Sequence, residues 1–297
     1  MKVSSLSIII PTKGRGTLFL NTLRSIANQP VVVNEVIIVD QSKNPIAKVT
    51  LEGIFKRSDI APKLIYCHAP WLLGASAARN YGIKHASGKI IQFLDDDVVL
   101  EKDYFLKLLQ AFNNADVGGV AGLVVEPNTK TSFLKKVFFG MFYIGPFRQI
   151  REEAYLNPPR AQIETNTLPG VSAYRREVFE EFSFDEGLVG PSTGEDVDFS
   201  YRVGKSWKLV IHPDARICHY PSTMGRGGKR QSFEDKICFY HYHFNKNLQK
   251  TPFAWFVFIW LNIGFAIHAL SFCQSSAILG AYTGWRKILQ KQVGAGR

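Results

Sequence analysis

Several features that identify common protein classes are missing from this sequence. Only four cysteines occur among the 297 residues, and no two form a Cys-x-x-Cys pair, so neither a zinc ribbon nor a disulfide framework is indicated. The glycines form neither a P-loop nor a Gly-x-Gly-x-x-Gly fingerprint, which leaves P-loop kinases and dinucleotide oxidoreductases without support. The first apolar run ends at Pro11 and is too short for a secretory signal, so we expect a cytoplasmic protein with reduced thiols.

Acidic residues are scarce in the last quarter of the chain. Residues 221–297 contain ten lysines and arginines but only two acids, Glu234 and Asp235, so they carry +8 of the net charge of +11. This concentration of positive charge favours an anionic partner, either membrane lipid or nucleic acid. A solvated basic face would give the same pattern.

The first half of the chain alternates apolar strands with helices. Continuous apolar runs are typical of strands buried on both faces, and an alanine-rich helix over 75–86 separates the third strand from the fourth. This order predicts an α/β fold with a mostly parallel sheet flanked by helices. The second half is less regular. The predicted elements are strands over 6–10, 35–40, 63–67, 89–94, 118–125 and 209–211, a loop followed by a helix over 168–182, and a helix over 196–203.

Three consecutive aspartates, Asp95 to Asp97, directly follow the fourth predicted strand. Ligands in open α/β sheets bind outside the carboxyl ends of the strands, where these side chains would lie. Three adjacent carboxylates repel one another, and a bound hard cation such as Mg²⁺ or Mn²⁺ would relieve that cost. The alternative for Asp97 is to cap a helix that begins near Val98.

Five segments in this order resemble the signature of family 2 inverting glycosyltransferases with a GT-A fold, over about residues 4–220. They are SIIIPT (7–12), VDQS (39–42), GASAARNYG (74–82), FLDDD (93–97) and GED (194–196). The resemblance implies a glycosyltransferase domain over 1–220, with a nucleotide-sugar half (1–97) and an acceptor half (98–220). A basic and apolar extension follows over 221–297.

The resemblance also implies roles for individual residues. Asp40 would accept a hydrogen bond from a pyrimidine base, Arg79 would lie near the diphosphate, and Asp95 would face the ribose. Asp196 would be the general base that takes the acceptor proton. Other implied contacts are with the nucleotide sugar (Pro11, Thr12, Arg15, Asp96), with the metal (Asp97, His219) and on the acceptor side (Glu195). Taken alone, the residues leave structural roles open: a surface arginine for Arg79, a helix-capping pair for 195–196, and a partly buried histidine for His219.

Two other functions fit parts of the sequence. A sugar-nucleotide pyrophosphorylase also holds metal with carboxylates, and residues 12–16 faintly resemble its glycine- and lysine-rich loop, but the acidic pair at 195–196 has no role there. A nucleic-acid-binding module would use the basic tail, but the aspartates at 95–97 would repel phosphate. We therefore expect a nucleotide-sugar donor, a saccharide or lipid-linked saccharide acceptor, and no nucleic acid.

Residues 251–285 contain no Asp, Glu, Lys or Arg and are flanked by basic residues on both sides. About 20 apolar residues suffice to span a bilayer, but basic flanks at both ends disfavour a single span. We expect a re-entrant hairpin or two in-plane helices at the cytoplasmic face of an anionic membrane, bending near Gly264 or around Gln274 to Ser276. The alternative is a buried helix pair or an oligomer interface.

Overall fold

A computed structural model describes residues 5–14, 16–55, 61–126, 133–188, 194–220, 228–271 and 275–290. Within these residues, nine strands form one sheet in the order β3-β2-β1-β4-β8-β6-β9-β5, and β7 pairs with β9. The strands are β1 (Leu6–Thr12), β2 (Glu35–Asp40), β3 (Lys63–His68), β4 (Ile90–Phe93), β5 (Val98–Leu100), β6 (Val117–Val125), β7 (Ile163–Thr165), β8 (Ser172–Arg175) and β9 (Lys208–His219).

Strands β1 to β4 form a parallel core, in which β1 pairs with both β2 and β4, and β2 pairs with β3. Every residue of β2 and β4 is buried, because helices cover both faces of the sheet. These helices include α1 (Thr17–Ala27), α2 (Lys48–Phe55) and α3 (Gly74–His85). The predicted α/β fold with a mostly parallel central sheet is confirmed.

The second half adds antiparallel pairings that the sequence pattern did not predict. Strand β8 pairs antiparallel with both β4 and β6, and it lies in the segment predicted as a loop. This loop prediction was wrong because β8 has only four residues and its partners lie far away in the chain. The remaining helices of this half are α4 (Tyr104–Gln110), α5 (Phe133–Phe142), α6 (Ile150–Leu156), α7 (Val178–Glu181) and α8 (Glu195–Val203).

A strand, and not a helix, follows the three aspartates. Strand β5 begins at Val98 and pairs antiparallel with the end of β9, which sets Val98 opposite His219. The next helix, α4, begins only at Tyr104. Asp97 therefore does not cap a helix, and the pairing of β5 with β9 brings a histidine from far along the chain beside it.

Three helices, α9 (Lys229–Asn247), α10 (Pro252–Ser271) and α11 (Ser275–Leu289), follow the sheet. They share one hydrophobic core with side chains from α5 and α8, including Phe142 and Val197. Helix α10 continues through Gly264, where a Cβ atom would lie only 2.5 Å from the Phe142 ring. Gly264 therefore permits close helix packing and does not end a helix. The other predicted bend, around residues 274–276, includes Gln274, which lies outside the described residues.

Helix α10 is apolar around its whole circumference. One stripe packs against α5, α9 and α11, and another stripe is exposed, with Phe256 60% accessible. Among the described residues, it is the only helix with the length and apolar composition to cross a membrane. The buried stripe is Ala254, Val257, Leu261, Phe265 and Ala269, and the exposed stripe is Phe253, Phe256, Ile259, Ile263, Ile267 and Leu270.

Candidate active site

The carboxyl ends of the parallel strands bring together several predicted nucleotide-binding residues. Thr12, at the end of β1, donates a hydrogen bond of 2.7 Å to Asp96. Asp40, at the end of β2, is fully buried and accepts hydrogen bonds from the Ser42 amide at 2.8 Å and the Tyr66 hydroxyl at 2.6 Å. Because this carboxylate is fully buried, its predicted contact with a pyrimidine stays a prediction.

Pro11 and Arg15 are the other two residues predicted to contact the nucleotide from the first strand and the loop after it. Pro11 is half-buried in β1, where it pairs with Val39 of β2. Arg15 lies outside the described residues, so its predicted contact with the nucleotide stays a prediction.

Asp97 and His219 lie side by side, as the predicted metal ligands must. Asp97 Oδ1 is 3.2 Å from His219 Nε2, and His219 Nδ1 is 3.4 Å from a Glu126 carboxylate oxygen. Asp97 also lines a cleft of about 630 Å³ between α1 and β5. The carboxylate is nearly inaccessible to solvent, so only a small ligand or an ion could contact it without movement of the surrounding side chains.

Arg79 joins the two acidic motifs. It lies on α3 and is almost completely buried, and its guanidinium contacts Glu195 at 2.7 Å and Asp95 at 3.3 Å. Asp95 follows β4 and is 43% accessible, whereas Glu195 begins α8 and is buried. Arg79 is therefore not a surface arginine. It bridges residues from both predicted halves of the site.

The start of α8 directs two consecutive carboxylates to different partners. Gly194 precedes the helix with a φ of 95°, a left-handed conformation that glycine adopts without strain. Glu195 contacts Arg79, and Asp196 Oδ2 contacts Arg151 of α6 at 2.7 Å. The Asp196 side chain remains 19% accessible, so it is the more open of the two carboxylates.

Burial and charge act against each other in this cluster. Partial desolvation raises the pKa of Asp95, whose side chain stays partly accessible; the charges of Arg79 and His219 oppose this increase, and those of Asp97 and Asp196 add to it. Burial likewise raises the pKa of Glu195, although Arg79 opposes it. Asp97, His219 and Asp196 therefore each lie within electrostatic reach of Asp95.

Arg151, which the sequence pattern does not single out, holds the predicted base. Its guanidinium also donates a hydrogen bond of 2.8 Å to the Leu168 carbonyl oxygen. Burial lowers its pKa, but the nearby Asp196 and Glu152 outweigh this effect and leave the pKa raised, so Arg151 stays charged. An arginine beside two glutamates in a short helix is typical of a solvated surface, and no local signal in the sequence identifies this one.

We predict that Arg79→Gln lowers the free energy of unfolding by about 3–5 kcal/mol near neutral pH, because it leaves buried carboxylate charge unpaired. The pKa values of Asp95 and Glu195 should rise further without the arginine. The folded variant then binds more protons than the unfolded chain in mild acid, so its deficit relative to wild type should shrink as the pH falls from neutral into mild acid. Urea unfolding at several pH values measures this.

Arg148→Gln is the matched control, because Arg148 pairs with Glu153 in an exposed ion pair at 2.8 Å. Such pairs contribute about 0–1 kcal/mol, so the control should differ little from wild type at any of these pH values. Equal effects of the two substitutions would contradict the structural role assigned to Arg79.

Comparison with known proteins identifies the family. Residues 7–183 match the model of glycosyl transferase family 2. The chain is 25% identical over 239 residues to the uncharacterized glycosyltransferase YwdF of Bacillus subtilis, an alignment that covers 78% of this chain and 82% of YwdF. It is 28% identical over 135 residues to the GalNAc(5)-diNAcBac-PP-undecaprenol beta-1,3-glucosyltransferase of Campylobacter jejuni, covering 46% of this chain and 42% of that protein.

A solved structure shows the same fold. The mannosyltransferase PcManGT of Pyrobaculum calidifontis, in complex with GDP-Man and Mn²⁺, superposes with a TM-score of 0.60 over 96% of this chain and 81% of its own, at 16% identity. At this identity the likeness establishes the architecture and not the substrate. Together, the family model and the shared architecture show that the chain belongs to glycosyl transferase family 2 and has a GT-A fold.

Proposed function

We propose that this protein transfers a sugar, with inversion, from a UDP- or dTDP-linked donor to a hydroxyl group of a saccharide or lipid-linked saccharide. Membership of glycosyl transferase family 2 supports the reaction class. The observation that supports the mechanism is the position of Asp196. Its carboxylate is partly accessible and is oriented by Arg151. It also lies within electrostatic reach of Asp95 at the end of β4. The Campylobacter relative, by its name, acts on an undecaprenol diphosphate-linked glycan, which favours a lipid-linked acceptor for this chain as well.

In this mechanism Asp196 acts as the general base. Its carboxylate accepts the proton of the acceptor hydroxyl while the acceptor oxygen bonds to the anomeric carbon of the donor sugar. The bond from that carbon to the diphosphate oxygen breaks on the opposite face, which inverts the configuration. The ion pair with Arg151 keeps one carboxylate oxygen of Asp196 oriented, as a positioned general base requires.

The residues at the strand ends fit a divalent cation. Asp97 Oδ1 and His219 Nε2 are 3.2 Å apart, close to the distance of about 3 Å between adjacent ligands of an octahedral ion with bonds near 2.1 Å. Within the described residues no cluster of three or more such side chains forms, so diphosphate oxygens and water would complete the shell. When bound, Mn²⁺ or Mg²⁺ would neutralise the charge that develops on the leaving diphosphate.

An anionic membrane surface at the cytoplasmic face is the proposed location. Helix α5 lies antiparallel beside α10, because Phe138 contacts His268 and Phe142 contacts Trp260. We call the exposed apolar side chains of both helices the apolar face. Both ends of α10 contact the catalytic domain, so the helix runs along its surface, which favours in-plane binding over a span. The apolar face consists of the exposed stripe of α10 together with four residues of α5, Phe133, Leu134, Val137 and Met141.

The base assignment predicts that Asp196→Asn keeps donor binding and lowers the transfer rate by about 10²-fold or more, as for a lost general base. Donor binding is measured by calorimetry, and transfer by product formation after a donor screen that follows nucleotide-sugar hydrolysis with manganese. Asp116→Asn, which makes the same change at an exposed site, should transfer at the wild-type rate. Near-normal transfer by Asp196→Asn would assign the base elsewhere.

The metal assignment predicts that UDP or dTDP binds with manganese or magnesium at least about tenfold more tightly than without, since the ion joins protein carboxylate to diphosphate. Asp97→Asn should abolish most of this difference while leaving the weak metal-free binding unchanged. Calorimetry with and without a chelator measures both quantities. Tight metal-free binding that is indifferent to this substitution would contradict the assignment.

The membrane assignment predicts that the purified full chain floats with vesicles that contain anionic lipid. Burying one large apolar side chain contributes about 1.5–3 kcal/mol, so Phe256→Asp with Ile263→Asp should reduce the bound fraction more than tenfold. Leu106→Asp, at an exposed apolar position on α4, is the control and should float like wild type. A full chain that stays soluble without detergent and forms a discrete oligomer would show that the apolar face is an interface instead.

A further inference from the structure

Three neighbouring strands meet at the edge of the sheet where the predicted metal ligands lie. Strand β9 runs between β6 and β5. It is parallel to β6 and antiparallel to β5, so the end of β9 lies beside the end of β6 and the start of β5. This arrangement sets His219, the last residue of β9, between Glu126, which follows β6, and Asp97, which precedes β5.

The His219 ring has a carboxylate at each of its two nitrogens. Its Nε2 is 3.2 Å from Asp97 Oδ1, and its Nδ1 is 3.4 Å from Glu126 Oε1. The Asp97 side chain is 3% accessible, whereas that of Glu126 is 42% accessible. The ring therefore separates the buried carboxylate, which is a predicted metal ligand, from a carboxylate at the surface.

Glu126 is not placed as a third ligand of the same cation. The two nitrogens of an imidazole ring face different directions, and Glu126 lies on the Nδ1 side, away from the pair formed by Nε2 and Asp97. Among the residues that the structure describes, no group of three or more side chains is arranged to hold a metal ion. Any influence of Glu126 on the cation would thus act through the ring.

The position of the ring proton decides whether His219 can bind a metal at Nε2. A neutral imidazole carries one proton, and only the nitrogen without it has a lone pair for a cation. The contact with Asp97 favours the proton on Nε2, where it blocks binding. A carboxylate at Nδ1 favours the other tautomer, and histidine ligands in metal sites commonly donate their second N–H to such a group.

We propose that Glu126 is a positioning residue of the metal site. Its carboxylate accepts the Nδ1–H of His219, fixes the orientation of the ring and leaves the Nε2 lone pair to bind Mn²⁺ or Mg²⁺ beside Asp97. This inference rests on the metal assignment of the proposed function. It adds a residue to that assignment that the sequence pattern does not single out.

The first test is calorimetry of UDP binding to the full chain at a series of manganese concentrations, which yields the apparent affinity for manganese. Glu126→Ala should lower this affinity about 10- to 100-fold, as is typical when the partner of a metal-binding histidine is removed. Glu126→Gln should lose less, because its amide oxygen still accepts a hydrogen bond. Glu164→Ala is the matched control, since it removes an exposed glutamate from β7, which also pairs with β9.

A double-mutant cycle with His219→Gln separates positioning from direct attraction of the cation. If Glu126 acts through the ring, Glu126→Ala should cost no further manganese affinity in the His219→Gln background. Equal losses in both backgrounds would show that the carboxylate charge attracts the cation directly and would overturn the proposal. So would wild-type manganese affinity in Glu126→Ala.

Nitrogen NMR of the metal-free chain tests the position of the proton without metal or activity. At a pH where the His219 ring is neutral, Glu126→Ala should shift its tautomer equilibrium from Nδ1–H toward Nε2–H, and Glu164→Ala should not. The melting temperature of Glu126→Ala should stay within about 4 °C of wild type, because ion pairs near the surface contribute little stability. A tautomer equilibrium unchanged by Glu126→Ala would overturn the proposal.

Failure of this proposal and failure of the proposed function give different results. Normal manganese affinity and normal transfer by Glu126→Ala would refute the role of Glu126 and leave the proposed function intact. Absence of metal-dependent nucleotide binding by wild type would count against the metal assignment itself. The NMR measurement then decides whether Glu126 holds the His219 ring, since it requires no metal.

Discussion

The buried guanidinium of Arg79 is the contact on which the arrangement of the site depends. It comes from α3, and its two carboxylate partners come from the end of β4 and the start of α8, so it fixes three distant parts of the chain together. A buried arginine is tolerated only when carboxylates compensate its charge, and the carboxylates in turn need the arginine. The position of α8, and with it that of Asp196, is therefore coupled to the strand ends where the donor would bind.

Consecutive carboxylates at a helix start can serve different purposes because side chains are separated by about 100° per residue around the axis. Because of this separation, Glu195 pairs with Arg79 in the interior, whereas Asp196 contacts Arg151 and remains partly accessible to solvent. Two adjacent arginine–carboxylate pairs thus keep both acids in place, and Asp196 remains the more accessible of the two. A capping pair at a solvated helix end would require neither arginine.

The sequence alone predicts those strands and site residues that a continuous local pattern encodes. Buried parallel strands are recognisable in a sequence as continuous apolar runs. Because ligands bind at the carboxyl ends of such strands, the polar residues that follow each run are predicted site residues. Strand β8 escaped prediction because four residues carry too little pattern and its partners are β4 and β6. The role of Asp97 was open for the same reason, since only the pairing of β5 with β9 excludes a helix cap. Arg151 acquires its significance only from neighbours that lie further along the chain, Leu168 and Asp196.

The C-terminal helices help to determine the position of Asp196 as well as the apolar character of the surface. A Cβ atom on Gly194 would lie 2.3 Å from the Phe239 ring, so α9 packs directly against the start of α8, and Val197 belongs to the core that α9, α10 and α11 share with α5. Side chains from before and after residue 220 therefore pack together, and the boundary predicted there stays a prediction. A lipid surface bound along α5 and α10 would meet the protein through the same helices that hold α8, so attachment would also set how an acceptor approaches Asp196. Helices α9 to α11 are thus better regarded as part of the proposed acceptor site than as a separable anchor.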